Sequence, residues 1–396
     1  MSEELKPDSG KAAAPGIITG VAAVFFNFIV LKENRVVEGT GHRLFQSTSP
    51  WLWGLILLLL LIVFLMCRLK NLSGTLMDRT LKGAGIVLMG LTLLALSQWG
   101  IIYPIDQYPY GRISPSTGAW LLLLSSYLLI NAGGGTGQSR GEKLLHILPW
   151  ILISFFVFSG SLSDLGIFKE FENEKRRFRT ELGGHLYITL RSVSQAVIIG
   201  IPMGILAWKN KKTTASIFGV INSLQTIPSL ALFGLLIPPL AWLSFRYPAL
   251  REMGFKGVGQ TPAIIALTLY ALLPIVRNTY TSLSVIEDRL LDAGRGMGMT
   301  PGQLFFRIEL PIGLPVILSG IRVAMVQTTG NATVAALIGA GGLGFFVFRG
   351  LEQAAPDLIL MGVIPIMLLV IVLDKLMGLL VKLFTPKGLE TLYDSI

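Results

Sequence analysis

The chain has 396 residues, of which 52% are hydrophobic and 14% carry a formal charge. Soluble domains contain about 25% charged residues, so this composition excludes an ordinary soluble enzyme or binding module and indicates an integral membrane protein. The net charge of +10 comes mainly from basic residues between apolar runs, which favours loops facing anionic lipid, and we expect no nucleic-acid partner.

Apolar runs predict the membrane spans, because a helix needs about 20 apolar residues to cross the hydrocarbon core. Ten such runs occur along the chain, at about 16–31, 51–67, 83–103, 118–132, 144–161, 185–207, 214–241, 261–285, 312–338 and 358–381. The sequence therefore predicts an all-α polytopic membrane protein with about ten transmembrane helices.

Basic residues set the predicted orientation, since lysine and arginine accumulate on the cytoplasmic side. With ten spans both termini lie on one side, where the segments hold 17 lysines and arginines against 13 in the opposite segments. Five of those 13 belong to one mixed-charge segment at 163–184. We therefore expect a multi-pass protein of the inner (plasma) membrane, with both termini and the 286–311 loop in the cytoplasm.

The mixed-charge segment also divides the chain. We expect an N-terminal membrane region of about five spans at 1–162, a charged extracytoplasmic linker at 163–184, a five-span core at 185–385 and a cytoplasmic tail at 386–396. Two halves with an odd number of spans would have inverted topology, which many secondary transporters use. No sequence repeat relates the two halves.

The segment DAGRGMGMTPGQLFFRIELP, residues 292–311, carries ordered helix signals inside a polar loop. Gly294, Gly296 and Gly298 are typical of a helix end, because glycine tolerates the left-handed conformation. Thr300, followed by a proline and then Gln303, predicts a capped new helix. Pro311 is expected to stop that helix, so the sequence predicts two short helices that meet at a bend.

The second of these helices, QLFFRIEL, carries apolar residues on the cytoplasmic side: Leu304, Phe305, Phe306, Ile308 and Leu310. Apolar side chains on a helix that faces water usually mark a buried contact. They would either pack against the protein's own spans or insert into a groove of a partner.

The same segment resembles the EAA loop of permease subunits in binding-protein-dependent ABC importers, which reads EAA-x3-G-x9-I-x-LP. Asp292 stands where glutamate is usual and Gly294 where alanine is usual. The resemblance extends over about 183–388 and is similar in order and spacing to permeases for glycine betaine, choline and carnitine. The chain would be a long form of this osmoprotectant family, with extra N-terminal spans before a core of the type I importer fold.

This resemblance implies a subunit that forms the membrane pathway and is not itself an enzyme. ATP and magnesium would bind a separate ATPase chain, since no Walker A motif occurs here, and this chain would hold no cofactor. Further partners would be an extracytoplasmic substrate-binding protein, a second permease chain in a homodimer or heterodimer, and membrane lipid. The resemblance implies that the ATPase contacts these residues: Asp292, Ala293, Gly294, Gly298, Leu304, Phe305, Ile308, Leu310 and Pro311.

Polar residues at membrane depth are candidates for the translocation pathway, because a charge there must face protein or water. Arg322 lies about ten residues into its span, and Gln327, Thr328 and Asn331 follow it. Residues 339–344 match the dinucleotide pattern G-x-G-x-x-G. They follow a span and not a strand, which favours an outer loop or a partly re-entrant turn.

Two alternative functions remain open. An ion-coupled secondary transporter would place an acidic residue near a span centre, and none of the ten runs has one, although sodium coupling through carbonyl oxygens would need none. An ABC permease for another small solute, such as an amino acid or a sulfonate, fits the same residues. A membrane enzyme is disfavoured, because one cysteine and three histidines offer no metal-ligand spacing and no catalytic site.

Overall fold

The structure is a computed structural model and describes residues 9–34, 37–68, 74–99, 111–134, 140–252 and 254–386. Its helices and strands, in chain order, are α1 Ser9–Ala23, β1 Asn27–Lys32, β2 Thr40–Arg43, α2 Leu44–Ser47, α3 Pro50–Arg68, α4 Gly74–Ser97, β3 Arg112–Pro115, α5 Thr117–Ala132, α6 Arg140–Phe158, α7 Gly166–Lys209, α8 Lys211–Thr226, α9 Ser229–Arg246, α10 Pro248–Glu252, α11 Gln260–Ser284, α12 Asp288–Gly296, α13 Pro301–Leu304, α14 Leu310–Asn331, α15 Gly344–Glu352 and α16 Pro356–Phe384. A π-helical turn, Phe305–Glu309, joins α13 to α14, and a 3-10 helix, Val334–Ile338, follows α14.

Among the described residues, seven helices are long and apolar enough to cross a membrane. They are α3, α4, α7, α9, α11, the continuous helix 301–331 and α16. Two shorter apolar helices, Thr117–Ala132 and Leu145–Phe158, occupy the predicted runs 118–132 and 144–161. The predicted fold class, a helical polytopic membrane protein, is confirmed. The end of the predicted run 83–103 and the tail after residue 386 lie outside the described residues.

The chain divides into two compact units, the first formed by 1–173 with 353–357. In this unit α5 packs against α1 and α4. A small antiparallel sheet of order β2-β1-β3 adds to the helices and was not predicted. The apolar run 16–31 is therefore shared between α1 and β1, where Phe28 and Ile29 are fully buried.

The second unit comprises 174–352 with 358–396, and α11 packs against α14 at its centre. Small buried residues, such as Ala266, Ala271 and Ala324, allow these helices to approach closely. The mixed-charge segment 163–184, predicted as a linker loop, is helical from Gly166 onward and continues into the apolar part of α7, with a kink at Glu174.

The predicted span 214–241 is split into α8 and α9 at Pro228. Proline restricts the preceding residue to extended backbone, and Ile227 has φ −75° and ψ 125°. The Tyr270 hydroxyl donates to the carbonyl of Ile227, so the break in the helix does not leave that carbonyl unpaired. Gln225 Nε2 donates to the Tyr270 carbonyl at 2.9 Å, so a second hydrogen bond connects the end of α8 to α11.

Candidate functional site

The predicted bend at residues 292–311 begins with the end of α12. Gly298 has φ +79°, the left-handed conformation that the sequence predicts. The amide of Gly298 donates to Arg295 O at 2.9 Å, and the amide of Met299 donates to Gly294 O at 3.2 Å. These two bonds form a Schellman motif, which satisfies carbonyls that the helix end would leave unpaired.

The next helix starts as its cap residues predict. Thr300 accepts from the Gln303 amide through its hydroxyl at 3.3 Å, and Gln303 Oε1 accepts from the Thr300 amide at 2.9 Å. This reciprocal pair is a capping box, and Pro301 occupies the first helical turn. The direction in which the second helix leaves the bend is thus fixed by local hydrogen bonds.

Gly294 is where the two helices of the bend touch. A Cβ at this position would lie 2.6 Å from Leu304 Cδ1 and 3.0 Å from Ile308 Cδ1. Leu304 is accordingly buried and Ile308 half-buried. Leu304 and Ile308 therefore pack within the chain, which is one of the two roles predicted for the apolar residues of this helix.

Pro311 does not end the second helix, so that prediction is wrong. The helix runs on from Pro301 to Asn331. The turn before the proline is π-helical, and the Leu310 amide donates to Phe305 O, five residues earlier. A π turn adds one residue to the helical repeat, so the missing amide and the ring of Pro311 are accommodated without breaking the helix.

Three apolar side chains around the bend are exposed. Leu290, Met297 and Phe306 have exposed fractions of 47%, 70% and 67%, and we call these three residues the coupling surface. Phe305 is half-buried and stacks edge-to-face on Phe306 with ring centroids 5.0 Å apart. Leu290 and Met297 were not among the predicted contact residues, because the apolar pattern that drew attention was that of the second helix, QLFFRIEL.

The remaining residues of the predicted motif lie at the edge of this surface. Asp292 is exposed and accepts from Arg295 NH1 at 2.8 Å, one helical turn further along α12. Ala293 and Pro311 are exposed, and Leu310 is half-buried. Lys209 Nζ, at the end of α7, lies 5.6 Å from the Phe305 ring centroid, so the bend also contacts the end of another spanning helix.

The structure gives Arg322 a partner that the sequence did not identify. Its Nε and NH2 donate to the two carboxylate oxygens of Asp374 at 2.6 and 2.7 Å. This bidentate pair joins α14 to α16 and compensates a charge at membrane depth. Of the other candidates for the pathway, Thr328 is buried, Asn331 half-buried and Gln327 exposed. One signal could have indicated Asp374, because it is the only acidic residue of the run 358–381.

The residues Gly339–Gly344, which we call the glycine loop, lie against α7. Gly339, Gly341 and Gly342 all have positive φ, which an ordinary side chain would resist. The amide of Gly342 donates to Glu181 Oε2 at 2.7 Å, and His185 Nε2 lies 3.0 Å from Thr329 O. Because a carbonyl only accepts, Nε2 carries the proton of His185. The sequence analysis missed both Glu181 and His185.

Among the described residues, no group of three or more histidine, cysteine, aspartate or glutamate side chains is placed to hold a metal ion. The core provides an exposed apolar bend at residues 288–310 and buried polar side chains on α7 and α14.

Two protein families match separate parts of the chain. Residues 196–387 match the family described as binding-protein-dependent transport system inner membrane component. Residues 12–168 match the family described as ABC transporter permease YehY, N-terminal domain.

Individual proteins match the same C-terminal part. The carnitine transport permease protein OpuCB of Listeria monocytogenes is 42% identical over 206 residues, which are 52% of this chain and 87% of that protein. The osmoprotectant import permease protein OsmW of Salmonella typhimurium is 42% identical over 206 residues, 52% of this chain and 91% of that protein. Among solved structures, a chain of the inward-facing MetNI methionine ABC transporter aligns with a TM-score of 0.48 at 23% identity, covering 54% of this chain and 99% of that one.

Proposed function

The chain belongs to the family of binding-protein-dependent transport system inner membrane components, and we propose that its cargo is a small osmoprotectant such as glycine betaine, carnitine or choline. It is a membrane-spanning permease subunit and not an enzyme. The similarity to a carnitine permease and to an osmoprotectant permease, each at 42% identity over most of its length, is the observation that carries the proposed substrate class.

We propose that ATP and magnesium bind a separate ATPase chain, which docks on the coupling surface. Leu290, Met297 and Phe306 support this, because they are apolar, exposed and supported by two capped helix ends rather than by a flexible loop. A helix presented at a fixed angle transmits the movement of a partner into the continuous helix 301–331. Asp292, Ala293 and Gly298 would border the contact, and Gly294, Leu304 and Ile308 would hold its shape.

The remaining partners follow from the same assignment. An extracytoplasmic binding protein would deliver the solute, and a second permease chain, identical or different, would complete the pathway. We propose that both termini and the coupling surface face the cytoplasm. The region 1–162 would be an addition to a permease core at 185–385, since the similar permeases align with only 52% of the chain.

Uptake into proteoliposomes tests the proposed function. The chain, the ATPase encoded beside it and their binding protein would be reconstituted, and labelled glycine betaine, carnitine and choline supplied outside. We expect uptake that requires ATP inside the vesicle and the binding protein outside. If ATP drove uptake of methionine but of none of these three solutes, the proposed substrate class would be wrong and the importer would carry an amino acid. Uptake driven by a sodium gradient without ATP would overturn the importer and favour a secondary transporter.

A further inference from the structure

Two buried polar atoms of α7, one of them directly beneath the glycine loop, have no hydrogen-bond partner. They are His185 Nδ1 and Thr189 Oγ1, and both side chains are fully buried. The residues are four apart on α7 and therefore lie on the same face of the helix, one turn from each other. Between them in sequence, Ile188 is fully buried and belongs to the same hydrophobic cluster as Ala332, Ala335 and Ala340. His185 Nε2 lies 3.0 Å from Thr329 O, so this part of α7 faces the end of α14 and the segment that follows it.

Burying a polar atom without a hydrogen-bond partner costs free energy, so a purely structural role does not explain these two side chains. A buried hydroxyl without a partner lowers stability, whereas an apolar residue of the same shape would not. Serine and threonine in helices usually donate to the carbonyl four residues earlier, as Thr279 does to Ile275 O at 2.8 Å. Thr189 makes no such bond. Polar groups enclosed by membrane helices are typical of substrate pathways.

The glycine loop covers the His185 end of this face. A Cβ on Gly342 would lie 3.1 Å from His185 Nδ1, so the loop backbone occupies the space in front of that atom. The loop is held by Glu181, which accepts from the Gly342 amide at 2.7 Å and lies 3.3 Å from Arg177 Nε. Arg177 in turn lies over the ring of Phe345, just after the loop, at 3.7 Å. Glu181 and Arg177 thus hold the C-terminal half of the loop against α7.

We propose that His185 and Thr189 form a contact site for the polar end of the solute in transit, and that the glycine loop, latched by Glu181, is the lid of this site. The inference rests on the proposed function. His185 Nδ1 accepts a hydrogen bond, because Nε2 carries the proton, so it matches a solute hydroxyl group such as that of carnitine or choline. The Thr189 hydroxyl donates and matches a carboxylate, which glycine betaine and carnitine carry.

The contact is tested by Thr189→Val, which removes the hydroxyl and keeps the shape. A merely structural Thr189 predicts unchanged or higher thermal stability and unchanged uptake. A solute contact predicts the same stability with about tenfold weaker apparent affinity for glycine betaine and carnitine, the factor that one hydrogen bond contributes, and a smaller effect on choline. Thr189→Ser should restore the affinity. Thr279→Val, equally buried but with its hydroxyl paired within its own helix, is the matched control.

The lid is tested by labelling, because Cys67 is the only cysteine of the chain. In a Cys67→Ser background, a Thr189→Cys variant of the assembled transporter would be exposed to a small methanethiosulfonate reagent. We expect no labelling at rest, labelling when Glu181→Ala is added, and protection by millimolar carnitine. No labelling in the Glu181→Ala variant would overturn the lid. Equal uptake by wild type and Thr189→Val would overturn the contact. The labelling experiment does not depend on uptake. It therefore tests the lid even if the wild type does not transport these solutes and the proposed function is wrong.

Discussion

At the scale of single residues, Gly298 fixes the geometry of the bend. Its φ of +79° costs an L-residue about 1–2 kcal/mol, although no atom lies within 4 Å of the position that a Cβ would occupy. The cost of a substitution would therefore come from the backbone conformation and not from a clash.

We predict that Gly298→Ala weakens ATPase binding by shifting the helix 301–331 away from its present angle, with a loss of about fivefold or more for 1 kcal/mol. Gly296→Ala is the matched control, since Gly296 is equally open and has no positive φ. The measurement is the amount of ATPase retained when the tagged permease is purified under increasing salt. Equal retention by the two variants would show that the left-handed turn is dispensable.

A second prediction at this scale concerns the ion pair between Arg322 and Asp374. Asp374→Leu leaves the arginine unpaired at membrane depth, which costs about 3 kcal/mol, so we expect a lower melting temperature in detergent and poor membrane insertion. The double variant Arg322→Leu, Asp374→Leu should regain most of the stability, because replacing both charges removes the uncompensated one. If the double variant transports normally, the pair serves the fold alone and Arg322 is not part of the pathway.

Residue chemistry explains which of these features the sequence could predict. The left-handed Gly298 and the capping box of Thr300 depend on neighbours within six residues, so local rules were sufficient. The partner of Arg322 is 52 residues away, and the latch between Glu181 and Gly342 spans 161 residues. Such pairs depend on tertiary packing, which a single sequence does not specify.

At the scale of elements, two prolines had opposite effects. Pro228 separates α8 from α9, and Ile227 before it is extended. Pro311 is absorbed by the π turn Phe305–Glu309, and the helix continues to Asn331. Pro202 and Pro274 also lie inside α7 and α11 without ending them, so the presence of a proline does not by itself decide where a helix of this chain ends. Sequence rules predict that a proline disturbs a helix but do not distinguish a break from a bulge.

The coupling surface yields a prediction for an element. Phe306→Ala should lower the affinity for the ATPase by about tenfold or more, because exposed aromatic residues commonly dominate such contacts. The thermal stability of the isolated permease should not change, since the side chain is 67% exposed. Binding of the purified ATPase to immobilised permease measures the effect.

Phe158→Ala is the control for that experiment. Phe158 is 88% exposed and ends α6, outside the coupling surface. It should leave ATPase binding unchanged. If Phe306→Ala also has no effect, the ATPase does not use this helix as its anchor, and the apolar exposure at the bend belongs to another partner.

At the scale of the whole molecule, the apolar runs predicted the helical membrane fold and placed several helices, such as α3, α5, α11 and α16, to within a few residues. The strands β1 to β3 were missed, because β1 continues an apolar run that also reads as a span. The charged part of α7 was expected as a loop, since its charges outweighed its helical periodicity. About ten spans were predicted, and the described residues contain seven helices long and apolar enough to cross a membrane, with two shorter apolar helices.

The two units of the chain correspond to two separate family matches, one within 12–168 and one within 196–387. The features assigned to transport all lie in the second unit: the coupling surface, the pair of Arg322 and Asp374, and the glycine loop. Coupled import therefore requires that motion at residues 288–310 be transmitted to the solute pathway.

ATP hydrolysis and solute uptake, measured in the same proteoliposomes, test this coupling most directly. The comparison is between wild type and Gly298→Asp, with solute-loaded binding protein added outside. We predict that the loaded binding protein stimulates hydrolysis and uptake together in the wild type and stimulates neither in the variant. Stimulated hydrolysis with full uptake in Gly298→Asp would contradict the coupling role of this bend.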